Sequence, residues 1–129
     1  MINKTFYICT YRDGTQYPIL NVAPSKYDML YELGLNKFSK SEGVKNAILS
    51  LDKVLNDELE YFELSSGDWC VVNVKKDTSI ITNNFDEFEP VEINTNEIYT
   101  LMKEWYEFLN AYENGEIPGI IHPNKRGRI

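Results

Sequence analysis

Apolar positions recur along this chain with two different periods. Between residues 44 and 59, Val44, Ala47, Ile48, Leu51, Leu55 and Leu59 stand at intervals of three and four and form one stripe. That spacing predicts a helix with Ser39 or Ser41 as its N-cap. Gly43 falls in its first turn, where its entropic cost is smaller than in mid-helix. A second helix is predicted from Asn94 or Thr95. There Ile98, Leu101, Met102, Trp105, Phe108, Leu109 and Tyr112 share about a third of the circumference at roughly 100° per residue. Asn94 and Glu97 have capping-box spacing, and Asn114-Gly115 ends the run. A shorter helical stretch is predicted from Pro24-Ser25-Lys26 through Leu33, with Tyr27, Leu30 and Leu33 at three-residue spacing and Gly34 as the stop.

Elsewhere the period is that of strands. Thr5 to Tyr11 (TFYICTY) is rich in β-branched and aromatic residues, Arg12-Asp13-Gly14-Thr15 supplies a turn, and Tyr17 to Leu20 returns as an arm that Pro18 confines to a sheet edge. From Tyr61 a meander is predicted: Tyr61 to Leu64, a turn at Ser65-Ser66-Gly67-Asp68, Trp69 to Lys75, a turn at Lys76-Asp77, then Thr78 to Thr82. The run Trp69-Cys70-Val71-Val72 is apolar on both faces, as suits a central strand covered on one side by a helix and partly on the other. Asn83-Asn84 makes a further turn, and Phe85 to Ile93 is an acidic extended segment broken by Pro90. The expected fold is α+β, an antiparallel sheet of about four to five strands packed against two long helices, with strand order open.

Composition narrows the class. At 129 residues, 43% hydrophobic and 13% aromatic, the chain matches one globular domain spanning 1–129, with residues 123–129 as a basic tail. No apolar run with a small-residue cleavage site opens it, and no stretch approaches a membrane span, so the expectation is a cytoplasmic protein without a membrane partner. Cys9 and Cys70 lie in apolar strand-like runs without CxxC spacing, which reads as two buried reduced thiols.

Charge changes the picture. Residues 57 to 116 hold 15 acidic and 3 basic side chains, a net of −12 within a chain whose total is −7. Such a field repels phosphate backbones, disfavours direct nucleic-acid binding by this surface, and favours a basic protein partner by steering its encounter. Aromatics are interleaved with the acids: Tyr61 and Phe62 follow Asp57, Glu58 and Glu60 and precede Glu63, while Phe85 and Phe88 sit among Asp86, Glu87, Glu89 and Glu92. The plain reading is a solvated acidic face; the sharper one is an interface, since interfaces favour aromatic anchors. Tyr99 and Tyr106 fall beside the apolar stripe of the last helix, either as boundary packing or as an anchor pair.

Chemistry is sparse by comparison. His122, the one histidine, stands beside Pro123 near the end of the chain, a poor foundation for a Ser-His-Asp or Cys-His arrangement. Asp68 with Val72-Asn73-Val74-Lys75 is similar to the strand of restriction-type nucleases, but Asn73 occupies a position that needs a carboxylate. Asp13-Gly14-Thr15 echoes a phosphatase nucleophile, yet Tyr11 replaces the preceding aspartate and a hairpin turn explains the triplet better. No GxGxxG, GxxxxGK[ST] or HExxH is present, and no cofactor is expected.

The order of leading strand, helical middle, meander and closing helix, with Glu104-Trp105-Tyr106-Glu107-Phe108-Leu109 and Tyr112-Glu113-Asn114-Gly115-Glu116-Ile117-Pro118-Gly119, resembles small bacterial immunity proteins of polymorphic-toxin and contact-dependent inhibition systems. The resemblance lies in the second half of the chain. It implies a non-enzymatic cytoplasmic inhibitor that binds the toxic domain of a cognate effector, frequently a basic nuclease. Charge density assigns the contact set to Glu60, Tyr61, Glu63, Asp86, Glu87, Glu89 and Glu92, with Tyr99 and Tyr106 next. Two other readings stay open: a phage or mobile-element accessory protein antagonising a nucleic-acid-binding host protein by the same mimicry, and a metal-dependent hydrolase using carboxylates of the acidic half.

Overall fold

The computed structural model describes residues 2–65, 70–83, 85 and 89–116. The leading hairpin pairs β1 (Asn3–Thr10) with β2 (Gln16–Ala23), placing Phe6 opposite Leu20 and Ile8 opposite Pro18. Its turn closes where Gly14 adopts a φ of +88°, a conformation that side chains resist. There the Asp13 carboxylate accepts the Thr15 N–H at 2.9 Å, and this bond holds its pKa below the ordinary value. The chain then forms a 3-10 helix, Ser25–Gly34, and a shorter one, Asn36–Ser39, before α1 (Ser41–Leu55).

A meander follows, β3 (Phe62–Ser65), β4 (Val71–Val74), β5 (Thr78–Thr82) and β6 (Val91–Asn94), with every neighbour antiparallel and spatial order equal to chain order. The closing helix is α2 (Thr95–Glu113). The fold is thus α+β, but the strands divide into sheets of two and four, where a single sheet was expected. The separation has a packing cause. Phe6 of β1 lies edge-on to Trp105 at 5.4 Å and against Phe108 at 5.6 Å, so the hairpin is held to α2 and does not extend the meander. Within the meander, Val71 and Val72 of β4 are both buried, as their apolar run implied for a central strand.

The two helices run antiparallel and are tied at both ends. At one end the Glu113 carboxylate accepts from the Ser41 N–H at 2.8 Å and from its hydroxyl at 2.6 Å. At the other the Tyr99 hydroxyl donates to Asp52 at 2.6 Å. Ser41 is therefore the first helical residue and not the N-cap; Lys40 holds that position without a side-chain bond, and Glu113 supplies the acceptor from across the fold. Leu59 also departs from expectation. The helix ends at Leu55 because Asp57 takes a φ of +64°, and the Asp57 and Glu58 N–H groups return to Val54 and Lys53, the bonding of a Schellman motif. Leu59 is left 39% exposed.

α2 starts where predicted, with the Asn94 side chain accepting from the Asn96 N–H at 2.8 Å. The Glu97 carboxylate reaches the Ile2 N–H at 2.7 Å, tying the helix to the hairpin. Buried Thr95 fixes the helix to the β4–β5 turn: its N–H donates to Asp77, its hydroxyl donates to the Lys75 carbonyl at 2.5 Å, and it meets the Ser79 hydroxyl at 2.7 Å. A Schellman ending at Gly115, φ +73°, closes it as its Asn-Gly pair implied.

Gly34 sits in a closely packed part of the core. A Cβ there would meet the Leu20 Cβ at 3.1 Å and the Trp105 ring at 3.2 Å, and both neighbours are fully buried. Gly34→Ala should therefore destabilise the fold by about 1–3 kcal/mol, the usual cost of overpacking. Urea unfolding followed by Trp fluorescence measures the shift, and an unchanged midpoint would show that this contact relaxes freely.

Candidate functional site

The sheet β3–β6 presents two unlike faces. Leu64, Val72, Val74, Ile81 and Ile93 point inward and are buried. On the other face the register lines up Glu63, Asn73, Ile80 and Glu92 in one row across all four strands. Tyr61, Lys75 and Thr78 stand beside it around a shallow concavity of about 610 Å³ that also includes Asn73, Ile80 and Glu92. Tyr61 is 45% exposed and its hydroxyl donates to the Asn73 side chain at 2.7 Å, which anchors an exposed aromatic ring on a polar surface. The residue that weakened a nuclease reading, Asn73, thus orients a tyrosine.

Three of the nine predicted contact residues, Tyr61, Glu63 and Glu92, come together on this face, and Glu60 precedes it on the exposed approach to β3. Glu89 lies elsewhere. With Lys26, Met29, Tyr31, Glu32 and Val91 it lines a second cavity, of about 670 Å³, between the 3-10 helix Ser25–Gly34 and the start of β6. Sequence reasoning missed this cavity because it joins residues some sixty positions apart, and no periodicity marks such a meeting. Asp86 and Glu87 lie outside the described residues, as do Asp68, His122 and the tail at 123–129.

Tyr99 and Tyr106 sit on α2, half-buried and packed against the core. Tyr99 serves the helix pair: the Asp52 carboxylate that accepts its hydroxyl raises its pKa, and the Lys103 ammonium lies 5.2 Å from its ring. The acidic half divides in the same way. Asp57 pairs with Lys76 at 2.7 Å, Glu104 with Lys4 at 3.1 Å, and Glu97 and Glu113 accept backbone N–H groups. Glu60, Glu63, Glu89 and Glu92 enter no hydrogen bond or ion pair among the described residues. Internal bonding therefore separates carboxylates that hold the fold from those that face outward.

Cys9 and Cys70 are both buried and free. Burial, reinforced by the nearby Glu32 charge, pushes the Cys70 thiol up to about 12. Among the described residues no group of three or more His, Cys, Asp or Glu could hold a metal ion, and no helix is long and apolar enough to cross a membrane. No protein-family model matches the chain, and neither the curated proteins nor the solved structures yield a similar one.

Two outcomes follow. A thiol whose folded pKa is raised keeps its stabilising contribution below the unfolded value, so stability should fall as pH rises from about 9 toward about 12. Cys70→Ala should flatten that slope in pH-dependent urea titrations, after correction for its smaller volume; a slope unchanged in the variant would assign it to other groups. Tyr99→Phe should lower stability by about 0.5–1 kcal/mol, a partly exposed hydrogen bond to a carboxylate. A double-mutant cycle with Asp52→Asn measures the coupling, and strict additivity would remove Tyr99 from the helix-pairing role.

Proposed function

We propose that the protein is an immunity-type binding protein, cytoplasmic and non-enzymatic, that neutralises a basic, nuclease-like toxin domain through its acidic surface. The observation that carries this reading is the outer face of the four-stranded sheet, where exposed Glu63 and Glu92 enter no ion pair among the described residues and lie beside an exposed Tyr61. A shallow concave face with acids around a tyrosine suits a cationic surface that normally receives phosphates. The local net charge of −12 across residues 57–116 speeds capture of a basic domain, and a desolvated aromatic slows its release. The buried cysteines fit a reducing compartment.

Purified protein mixed with lysate of its own host should capture a basic protein, encoded beside it, at low salt. The association rate should fall at least about tenfold between low and high ionic strength, the mark of electrostatic steering. Glu63→Lys with Glu92→Lys should slow association by a similar factor without lowering the melting temperature. Capture indifferent to both salt and charge reversal would exclude this face.

A further inference from the structure

The cavity beside β6 has a chemistry of its own. Its half-buried residues are Met29, Glu32 and Val91, while Lys26, Tyr31 and Glu89 are exposed around them. Met29 and Val91 pack against the core and give it an apolar floor. Tyr31, 45% exposed, adds an aromatic wall. Glu32 is the unusual member. A carboxylate taken partly out of water is costly unless a cation or donors compensate it, and Glu32 enters no ion pair among the described residues. Its one donor among the described residues is the adjacent Tyr31 hydroxyl, a hydrogen bond that raises the pKa of that phenol, and its charge adds to the burial that raises the Cys70 thiol. Glu89 contributes a second carboxylate, which has no hydrogen bond or ion pair among the described residues.

An apolar floor, an aromatic wall and two carboxylates without a cationic partner among the described residues fit one kind of side chain: a long aliphatic stem ending in a planar cation. Arginine buries its methylenes on apolar surface, stacks on aromatic rings and bonds carboxylates through its fork of donors. Lysine shares the stem but lacks the fork and the planar face. A volume of about 670 Å³ accommodates such a side chain with flanking backbone. Asp28 on the same wall raises the acidic count to three against the single Lys26. Val91 lines the cavity from the inner side of β6, and the next residue, Glu92, points to the outer sheet face, so the two acidic features flank this edge strand from opposite sides.

We infer that this cavity is a receptor for an arginine side chain of the basic protein partner, held between Tyr31 and Val91 with Glu32 and Glu89 as its carboxylate acceptors. The inference rests on the proposed binding of a basic partner and names the pocket that anchors it. The probe is a blocked tripeptide, acetyl-Gly-Arg-Gly-amide, titrated into isotopically labelled protein at low salt, with the citrulline peptide as the isosteric neutral control. The arginine peptide should shift the Met29 and Val91 methyl signals saturably, at least about tenfold more tightly than the citrulline peptide. Glu32→Gln with Glu89→Gln should abolish that difference, while Glu63→Gln with Glu92→Gln should leave it within about twofold. Equal binding of both peptides, or shifts confined to Thr78 and Ile80 on the sheet face, would overturn the pocket while leaving an acidic partner surface in place. Absence of shifts anywhere, together with capture of a basic partner that is unaffected by the Glu32 and Glu89 substitutions, would equally overturn it.

Discussion

The position of Trp105 decides how the rest of the molecule can be arranged. Its indole is fully buried, yet its N–H must be bonded, and it donates to the Phe38 carbonyl at 2.8 Å. That bond ties α2 to the short 3-10 turn Asn36–Ser39, while the ring packs on Phe6 of the hairpin, Phe108 of its own helix and the backbone at Gly34. Four elements, from three separate stretches of the chain, therefore meet at one side chain. Leu20, fully buried opposite Phe6 in the hairpin, completes the contact from β2. Ile98 and Leu101 continue the Trp105 face of α2 toward its N-terminus, where the Thr95 bonds fix the helix to the meander. The open sheet face is the one that turns away from this shared core.

The same arrangement explains which parts of the fold were legible in the sequence. α2 was readable because its stripe runs without interruption from Ile98 to Leu109 and both ends carry local signals, Asn94 and Gly115. The meander was readable because its strands follow one another in space, so periodicity and turn residues suffice. The hairpin's turn was legible from Asp13-Gly14, but its separation from the meander was not. Pairing in the hairpin is local, whereas its docking depends on Phe6 meeting Trp105 across ninety-nine positions. The end of α1 failed for a related reason. Asp57 adopts the left-handed conformation that glycine normally signals, so the apolar period ran on to Leu59 without a visible stop.

Legibility of the candidate site follows the same boundary. Tyr61, Glu63 and Glu92 could be selected from charge and aromatic interleaving, and strand register brings them to one face. Glu89 could be selected but not placed, because its neighbours Met29, Tyr31 and Glu32 come from the 3-10 helix, which offered no acidic run to attract attention. Tyr99 was selected for its boundary position, and the structure gives that position a function in the fold: its hydroxyl fastens α2 to Asp52. Composition sees charge; it does not see which charges are already bonded.

That distinction carries the physical argument for a binding role. A net charge of −12 over sixty residues would be poor evidence if every carboxylate were compensated internally. Asp57, Glu97, Glu104 and Glu113 are so compensated, each by a cation or by backbone donors. Each of those bonds joins elements of the fold, so these four acids favour the native state. Glu60, Glu63, Glu89 and Glu92 contribute repulsion without such a return, and fold stability alone gives no reason to keep them. Lys75, which lines the same concavity as Tyr61 and Glu92, relieves part of that repulsion, but it is a single cation against these carboxylates. A surface that lowers the stability of its own domain is consistent with one maintained for something that binds it, where a cation from outside offsets the repulsion on association.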